Sequence, residues 1–566
     1  MLSSRFLRPH GEERHGAFYQ FFERFFERTL RRYERGLQWS LRHQAAVMTA
    51  AVAITLATVG LFVVVPKGFI PSEDTGQIFG FTEAAEGVSF DEMVRHQKAV
   101  ADVVSQDPNA ESFMSSAGGR AGFGSNVGIV FVRLKPRGQR KLSADEIIGE
   151  LRPKLAQVPG IRVYLQNPPP IRIGGQLTKS QYQLTLQGPD TAELYRVAPL
   201  LEARMRQIPG LVDVNSDLQI KNPEVNVKID RDKASALGVT PAAVEDALYS
   251  AYGARQISTI YTPTNQYRVL MELQREHQLD PSVLSELYVR SSAGQLVPLA
   301  SLSRFTRTLG PLSVNHLGQL PAVTLSFNLR PGVSLGDAVG QVTKSARDII
   351  PDSVSTSFQG TAQAFQSSLS GLGLLLAMAI VVIYIVLGIL YESFIHPITI
   401  LSALPLAGFG ALATLLIFRV DLSIYAFVGI IMLVGLVKKN GIIMIDFALD
   451  AQRNEGKSPA DAIYEACVVR FRPIMMTTMA ALFGTLPIAL GLGAGAESRR
   501  PLGLAVVGGI VFSQLLTLFV TPVVYLFMDR VQHVLARSLP FLGARAEHTD
   551  GPRPFAEVER AAATGR

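Results

Sequence analysis

Six apolar stretches divide the chain into membrane-sized segments. They fall at residues 45–65, 369–390, 399–418, 422–446, 473–492 and 502–527, and each is long enough to cross about 30 Å of hydrocarbon. Only the fourth stretch carries charged residues in its interior. The pattern therefore predicts one transmembrane helix, a soluble region over 66–368, and five more transmembrane helices.

The segment before the first stretch mixes aromatic residues with arginines at helical spacing. Arginines occupy positions 24, 28, 31, 32 and 35, and the apolar positions recur every three or four residues at Phe18, Phe22, Phe25, Phe26, Leu30, Tyr33 and Leu37. This pattern predicts an amphipathic helix that lies on a membrane surface. The alternative is a helix that packs on a soluble partner.

The distribution of basic residues predicts the orientation. The net charge is +7, and the basic residues cluster beside the apolar stretches, which indicates topology rather than nucleic-acid binding. The N-terminal arm and the 450–472 loop are both basic and should be cytoplasmic, which places 66–368 on the periplasmic side. Arg499 and Arg500 lie in a loop expected outside and conflict mildly with this assignment.

The soluble region contains an internal repeat. Residues 77–167 predict the order βαββαβ, which is the ferredoxin-like pattern, and a second copy is interrupted by an insertion. The predicted fold class is thus a six-helix membrane domain with an α+β periplasmic region of two ferredoxin-like subdomains. The predicted domains are a connector helix (1–43), a first transmembrane helix (44–66), a first porter subdomain (67–168), a split second one (169–222 and 313–366), a docking subdomain (223–312), five transmembrane helices (367–530) and a disordered tail (531–566).

Motifs for enzymatic chemistry are absent from the sequence. It has no HExxH, no CxxC and no P-loop lysine, so we expect neither an enzyme nor a cofactor. The glycines between 118 and 124 stand between two predicted strands, which favours a flexible loop over phosphate binding. The single cysteine, Cys467, excludes an intrachain disulfide and is expected to be a buried bystander.

The fourth stretch places two lysines inside an apolar run. Residues 422–437 are too few to span a bilayer alone, and apolar sequence resumes through Leu449. Lys439 then lies about 25 Å along the helix, where an ammonium group costs about 2.5–3.5 kcal/mol or more unless it is paired or hydrated. Because Lys438 and Lys439 project about 100° apart, one can snorkel while the other faces the bundle. The alternative ends the helix at Val437, with both lysines as a flank.

The fifth stretch opens with basic residues and contains two threonines. Pro473 fits the first turn of a helix, so Thr477 should lie about one turn into the membrane. Thr477 can hydrogen-bond to a neighbouring helix or back to its own.

Several blocks of sequence resemble the resistance-nodulation-division (RND) efflux pumps. They are GFIPSEDTG (68–76), VKIDRDKASALGV (227–239), LGILYESFIHPITI (387–400), GLVKKNGIIMIDFALDAQR (435–453), RFRPIMMTTMAALFGTLPIAL (470–490) and TPVVYLFMDR (521–530). Residues 255–267 and 311–316 resemble most the Mdt-type multidrug subunits, which work as mixed trimers. The resemblance covers the second half of a family member, so a first half with six more helices is missing.

The resemblance implies a proton-driven drug antiporter of the bacterial inner membrane. Lys439 matches a lysine that pairs with two aspartates of the first half, and Arg470 and Thr477 match polar residues of the proton path. The aspartate pair is absent from this chain. The implied partners are the missing half, a trimer of like or related subunits, a periplasmic adaptor, an outer-membrane channel and membrane lipid, with a proton gradient in place of a cofactor.

The resemblance also implies a substrate path. The loop 116–126, with Gly118, Gly119 and Arg120, matches a switch loop between two pockets, and Phe113 and Phe131 match aromatic pocket positions. Gly118 and Arg120 stand where the family often has phenylalanines, which favours acidic or polar substrates. Phe113 and Phe131 could instead be ordinary core residues of strands. Two other functions stay open: a half-subunit that acts only as an assembly scaffold, and a metal exporter, which Met475 and Met476 would support only weakly.

Overall fold

The computed structural model describes residues 17–118, 124–169, 171–493 and 495–538. Gly119 and Arg120 of the predicted substrate path, the arm 1–16 and the tail 539–566 lie outside the described residues. The predicted disordered tail was placed too early, because residues 531–538 continue the last helix.

Six described helices are long and apolar enough to cross a membrane, and one amphipathic helix precedes them. In chain order, with α3 to α10 in the soluble region, they are α1 (Ala17–Arg42), α2 (Gln44–Val64), α11 (Thr361–Tyr391), α12 with α13 (His396–Leu401 and Leu404–Ile417), α14 (Ile424–Glu455), α15 (Pro459–Ala489) and α16 (Ala496–Ser538). Several exceed the predicted spans because polar turns extend them beyond the apolar core.

The first unit of the soluble region is a four-stranded antiparallel sheet with the order β2-β3-β1-β4. Two helices cover one face of the sheet and bury an apolar core of valine, leucine and isoleucine. Its elements are β1 (Gln77–Ala84), α3 (Phe90–Ser105), β2 (Ala110–Ala117), β3 (Val127–Leu134), α4 (Ala144–Leu155) and β4 (Ile161–Gln166). Strand β1 is therefore central and pairs on both sides.

The second unit repeats this arrangement with a long insertion. Strand β14 lies between β6 and β5, and β15 pairs with the other edge of β5. Its elements are β5 (Tyr182–Gln187), α5 (Thr191–Arg206), β6 (Leu211–Ser216), a two-residue β13 (His316–Leu317), β14 (Leu320–Leu329), α10 (Leu335–Ile349) and β15 (Ser355–Gln359). The chain leaves after β6 and returns before β14, as the split repeat requires.

The insertion has its own small core and three two-stranded sheets. The longest sheet pairs its first and last strands and so closes the subdomain. Its elements are β7 (Asn222–Ile229), α6 (Arg231–Ala236), α7 (Pro241–Tyr252), β8 (Arg255–Tyr261), β9 (Gln266–Met271), α8 (Arg275–Gln278), β10 (Tyr288–Arg290), β11 (Leu296–Pro298), α9 (Leu299–Leu302) and β12 (Ser303–Gly310).

Short polar residues set where many of these helices begin. Ser89, Asp190, Ser334 and Ser423 each accept a hydrogen bond from a backbone N–H of the following first turn. Ser143 does the same, and the Glu146 carboxylate accepts from the Ser143 backbone N–H, which completes a capping box. These caps satisfy N–H groups that a helix cannot satisfy itself.

The last helix, α16, is the centre of the membrane bundle and packs against α13, α14 and α15. Glycines allow its closest approach to α13. A Cβ on Gly508 would lie 2.0 Å from Thr414 Oγ1, and one on Gly410 would lie 2.4 Å from Phe512 Cβ. Such small-residue contacts are the usual way for helices to pack tightly in lipid.

The amphipathic helix α1 docks on the bundle through part of its apolar face. Tyr33 stacks on Phe471 at 4.7 Å between ring centroids and donates a hydrogen bond to the Leu518 carbonyl. Arg472 forms a two-bond ion pair with Glu23. Phe25 is 58% exposed, so the aromatic face predicted from the sequence is wider than the face that docks.

Backbone hydrogen bonds join the soluble region to the membrane bundle. Gly68 donates to the Leu422 carbonyl, Leu422 to the Pro66 carbonyl at 2.8 Å, and Ile424 to the Phe69 carbonyl at 3.1 Å. A Cβ on Gly68 would lie 2.8 Å from the Cβ of Asp421. The segment that leads into β1 thus runs directly beside the start of α14.

A buried ion pair ties the start of the soluble region to its first subdomain. Asp74 and Arg140 are 5% and 1% exposed at their side chains, and Arg140 Nη1 lies 2.6 Å from Asp74 Oδ2. Burial by itself raises the pKa of Asp74, but hydrogen bonds from Arg140, Gly76 and Ala144 outweigh it and hold that pKa below its usual value.

We predict that Asp74→Asn destabilises the chain by about 3–5 kcal/mol, because Arg140 would stay buried without its counter-charge. Since the pKa of Asp74 is lowered in the folded state, its contribution is present above the unfolded pKa of about 3.9 and disappears as the pH falls through the folded value. Thermal unfolding between pH 7 and pH 3 measures both effects. The exposed pair Asp91–Arg275 supplies the control, since Asp91→Asn should leave the unfolding midpoint unchanged.

Candidate functional site

The structure resolves the fourth apolar stretch as one unbroken helix. Ser423 caps the start of α14 and Gly456, in the left-handed conformation, ends it, so Lys438 and Lys439 lie in its interior rather than at a flank. The step from Ile424 to Lys439 corresponds to about 22 Å of helix. The alternative that the helix ends at Val437 is wrong, because apolar residues on both sides of the lysines pack into the bundle.

Lys439 projects from an uncovered face of α14. Val428, Met432, Gly435, Lys439 and Asp446 are all exposed and recur at helical spacing. In the described part of the chain neither lysine forms a hydrogen bond or ion pair, but Lys439 is exposed whereas Lys438 is partly buried. This face presents the ammonium group outward, away from the helices that α14 packs against.

The residue after Lys439 points inward and joins three helices. Asn440 Nδ2 lies 3.3 Å from Thr478 Oγ1 on α15 and 3.2 Å from Gln514 Oε1 on α16. Thr478 also donates to Gln514 Oε1 at 2.7 Å. Neither Asn440, Thr478 nor Gln514 was among the residues predicted from the sequence, although an amide within the apolar run 502–527 was a visible signal.

Pro473 does not begin a helix, which corrects the expectation from the sequence. Helix α15 starts at Pro459 after the cap Ser458 and continues through Pro473. Thr477 therefore lies deep in the helix, partly buried, and donates to the Ile474 carbonyl of its own helix at 3.1 Å. Of the two options for Thr477, the structure has the intrahelical bond, and its neighbour Thr478 makes the contact between helices.

Arg470 lies closer than Lys439 to the end of α14 at Glu455. Its guanidinium stacks over Phe447 at 4.9 Å, and its buried Nε has no hydrogen-bond partner among the described residues. Because Phe447 follows Lys439 by eight positions, Arg470 contacts α14 about 12 Å along the helix axis from the backbone of Lys439. The structure brings Thr477 to the depth of Lys439 but does not bring Arg470 there.

A polar cleft of about 500 Å³ lies between the two units of the soluble region. The carboxylate of Glu83 on β1 forms an ion pair with Lys179. It also accepts hydrogen bonds from Gln219 Nε2 at 3.0 Å and from the Tyr164 hydroxyl at 3.4 Å. Burial raises the pKa of Glu202, which also lines the cleft, while Arg206 acts in the opposite direction. The cleft thus offers charges of both signs.

The predicted substrate residues Phe113 and Phe131 lie on opposite faces of the first sheet. Phe113 is paired with Val132 and Phe131 with Met114, and directly opposed residues share a face. Phe131 joins Phe79 on the face away from the helices, while Phe113 is 40% exposed. These two aromatics therefore cannot form one wall together.

Gly118, at the start of the predicted switch loop, adopts a φ of +64°. Its N–H donates to the Val127 carbonyl at 2.9 Å, and a Cβ there would lie 3.1 Å from Phe90 Cε2. A side chain at this position would be strained as well as crowded.

The described residues contain no group of three or more histidine, cysteine or acidic side chains that could hold a metal ion. Met475 is partly buried and its sulfur accepts from Gln514 Nε2 at 3.2 Å, whereas Met476 is 49% exposed. The consecutive methionines thus do not form a thioether pair. Cys467 is fully buried, 4.0 Å from the Met444 sulfur.

Six potential membrane spans and a large soluble region inserted between the first two define a class of polytopic membrane protein. A family model described as the AcrB/AcrD/AcrF family matches residues 1–529. The chain therefore belongs to this family of RND transporters.

Solved structures of a heavy metal efflux pump in two crystal forms share the fold. Crystal form II superposes with a TM-score of 0.80 at 24% sequence identity, and covers 89% of this chain and 53% of that one. Crystal form I gives a TM-score of 0.79 at 23% identity. The chain spans about half the length of these pumps.

We predict that Glu83 and Lys179 are energetically coupled across the cleft. Both side chains are largely buried, at 16% and 11% exposure, so removing one charge leaves the other unpaired. A double-mutant cycle with Glu83→Gln and Lys179→Met should give a coupling of about 1–3 kcal/mol in thermal or denaturant unfolding of the full chain. The exposed pair Glu111–Arg133 is the control, and equal coupling in both cycles would contradict the prediction.

Proposed function

We propose that this chain forms the lysine-bearing half of a proton-driven efflux subunit in a bacterial inner membrane. The observation that carries the proposal is Lys439, a charged group near the middle of α14 on a face that no described helix covers. An intramembrane ionisable residue marks an ion or proton path by default. The family to which the chain belongs supports the same function.

A partner carboxylate has to come from outside the described spans. Asp446 lies about 10 Å further along α14, and the other acidic residues of the described spans lie near helix ends. We propose that a first half supplies the carboxylates, whose protonation releases the lysine and shifts the packing of α14. Arg470 and Thr477 are proposed to continue the proton path, although Arg470 contacts α14 about 12 Å along the helix axis from the backbone of Lys439.

We propose small amphiphilic organic molecules as the substrates. The cleft between the two units combines Glu83, Arg162, Glu202 and Arg206, which suits polar or charged groups. The nearby sheet face with Phe79 and Phe131 offers apolar contact. The loop that begins at Gly118 is proposed to gate between pockets, and Gly119 and Arg120 belong to the same proposal.

The partners are proposed to be a trimer of like or related subunits, a periplasmic adaptor and an outer-membrane channel. The hairpin β8–β9 supports a docking role for the inserted subdomain. It forms a sheet of its own with exposed Ile257, Ile260, Tyr261, Tyr267 and Leu270. Exposed apolar groups this close together mark interaction surfaces.

Metal export is the second candidate, because a solved heavy metal efflux pump has a similar fold. At 24% identity that similarity supports the fold alone. The described residues offer it no group of three or more histidine, cysteine or acidic side chains. An assembly scaffold without transport is the third candidate, and both alternatives are separated from drug efflux by the experiments below.

We predict that Lys439→Ala, in the assembled transporter, abolishes proton-coupled export in proteoliposomes. The variant should still insert and assemble, because removing an intramembrane charge lowers the insertion cost by about 2.5–3.5 kcal/mol. Lys438→Ala is the matched control at the neighbouring position and should keep most of the activity. Export by Lys439→Ala at normal protein level would refute the assignment.

We predict that residues 1–566 alone confer no resistance in a pump-deleted host, and that co-expression of a first half restores part of it. Packed spans rather than a linker should hold the halves together. Susceptibility to drugs, silver and copper should be measured for each half and for both. Restored tolerance of metals alone would favour the metal exporter, and co-purification of both halves without any resistance would favour the scaffold.

A further inference from the structure

Gln514 uses both ends of its side chain amide inside the membrane bundle. Its Oε1 accepts from Asn440 and Thr478, and its Nε2 donates to the Met475 sulfur at 3.2 Å. The residue is 7% exposed. One amide on α16 therefore links α14 and α15, in an environment where lost polar contacts cannot be replaced by bulk water.

This cluster lies next to Lys439 in sequence and in depth. Asn440 follows Lys439 directly, so the two side chains project about 100° apart, one toward the cluster and one toward the uncovered face. A rotation or axial shift of α14 that moves the Lys439 ammonium group must therefore stretch the bonds of Asn440. A movement of α14 as a whole therefore affects the cluster and the lysine together.

The distances within the cluster are unequal. The bonds of Asn440, at 3.3 and 3.2 Å, lie at the long end for N–H···O contacts, whereas the Thr478–Gln514 bond of 2.7 Å is of ordinary length for O–H···O. The contact between α15 and α16 is therefore the tighter one.

We propose that Gln514 is a positioning residue for Lys439. With Thr478 it forms a fixed acceptor and donor pair on α15 and α16, and Asn440 docks on this pair to hold Lys439 at one depth and on one face. Release of Asn440 is the step that lets α14 move when the pairing of the lysine changes. This inference rests on the proposed function of Lys439 as the proton-coupling group.

The test compares Gln514→Leu with Ser513→Ala in proteoliposomes that contain the assembled transporter. Ser513 is a matched control, because it is 2% exposed but its hydroxyl contacts Thr517 of its own helix at 3.1 Å. For Gln514→Leu we expect turnover at least tenfold lower, a half-saturating substrate concentration unchanged within twofold, and at least threefold more protons moved per substrate. For Ser513→Ala all three quantities should match the wild type.

A second pair of variants covers the case in which Gln514→Leu does not fold. Thr478→Val keeps the size of the side chain but removes the hydroxyl donor, and Thr478→Ser keeps the donor. We expect Thr478→Val to move extra protons per substrate as Gln514→Leu does, and Thr478→Ser to restore tight coupling. Loss of thermal stability with an unchanged ratio of protons to substrate would mean a purely structural role and would overturn the proposal.

Lys439→Ala in the same vesicles distinguishes a failure of the role of Gln514 from a failure of the proposed function. If Lys439→Ala loses coupled export while Gln514→Leu and Thr478→Val keep the wild-type ratio of protons to substrate, only the role of Gln514 is wrong. If Lys439→Ala keeps coupled export, the proposed function fails and the role of Gln514 fails with it.

Discussion

The requirement that polar groups find partners inside a membrane is the constraint on which this structure depends. Water cannot satisfy an amide or an ammonium group at the centre of the hydrocarbon, so each such group needs a protein partner or marks a functional surface. Asn440, Thr478 and Gln514 follow the first course and link three helices. Lys439, one residue away, is exposed on a different side of the helix, and this contrast between neighbours gives α14 an inner face and an outer face.

The soluble region is built on different physics. Buried valine, leucine and isoleucine hold each unit together, serine and aspartate caps set the helix starts, and charged pairs such as Asp74–Arg140 lock the connections. The cleft between the units is instead lined by charged residues of both signs, among them Glu83, Arg162 and Glu202. Rigid units with a polar seam between them are suited to opening and closing.

The sequence alone was sufficient for the long-range order of the chain but not for contacts between helices. Hydropathy located the spans because burial in lipid demands long apolar runs, and the family follows from motifs distributed along the chain. The exact residue at which a helix begins was harder to predict. Pro473 suggested a helix start because proline suits a first turn, yet the helix begins at Pro459, one proline earlier.

Side-chain direction was the other part that the sequence could not supply. Thr477 and Thr478 are adjacent, and only packing decides that the second one crosses to α16. Likewise Phe113 and Phe131 flank one loop in sequence, but the pairing of β2 with β3 directs them to opposite faces of the sheet. The first case depends on how α15 is rotated about its own axis, and the second depends on the register of the strand pair. No local sequence pattern reveals either one.

The backbone bonds between Pro66–Phe69 and Leu422–Ile424 have a consequence for how such proteins diversify. Main-chain amides and carbonyls are the same for nearly every residue, so this mechanical link between the membrane helix and the soluble region survives most substitutions. Gly68 has no room for a side chain beside Asp421, and Leu422 and Ile424 must keep the N–H groups that proline lacks. Side chains of the cleft and of the membrane helices can therefore change separately, while the backbone link between the two regions is kept almost independently of side chains.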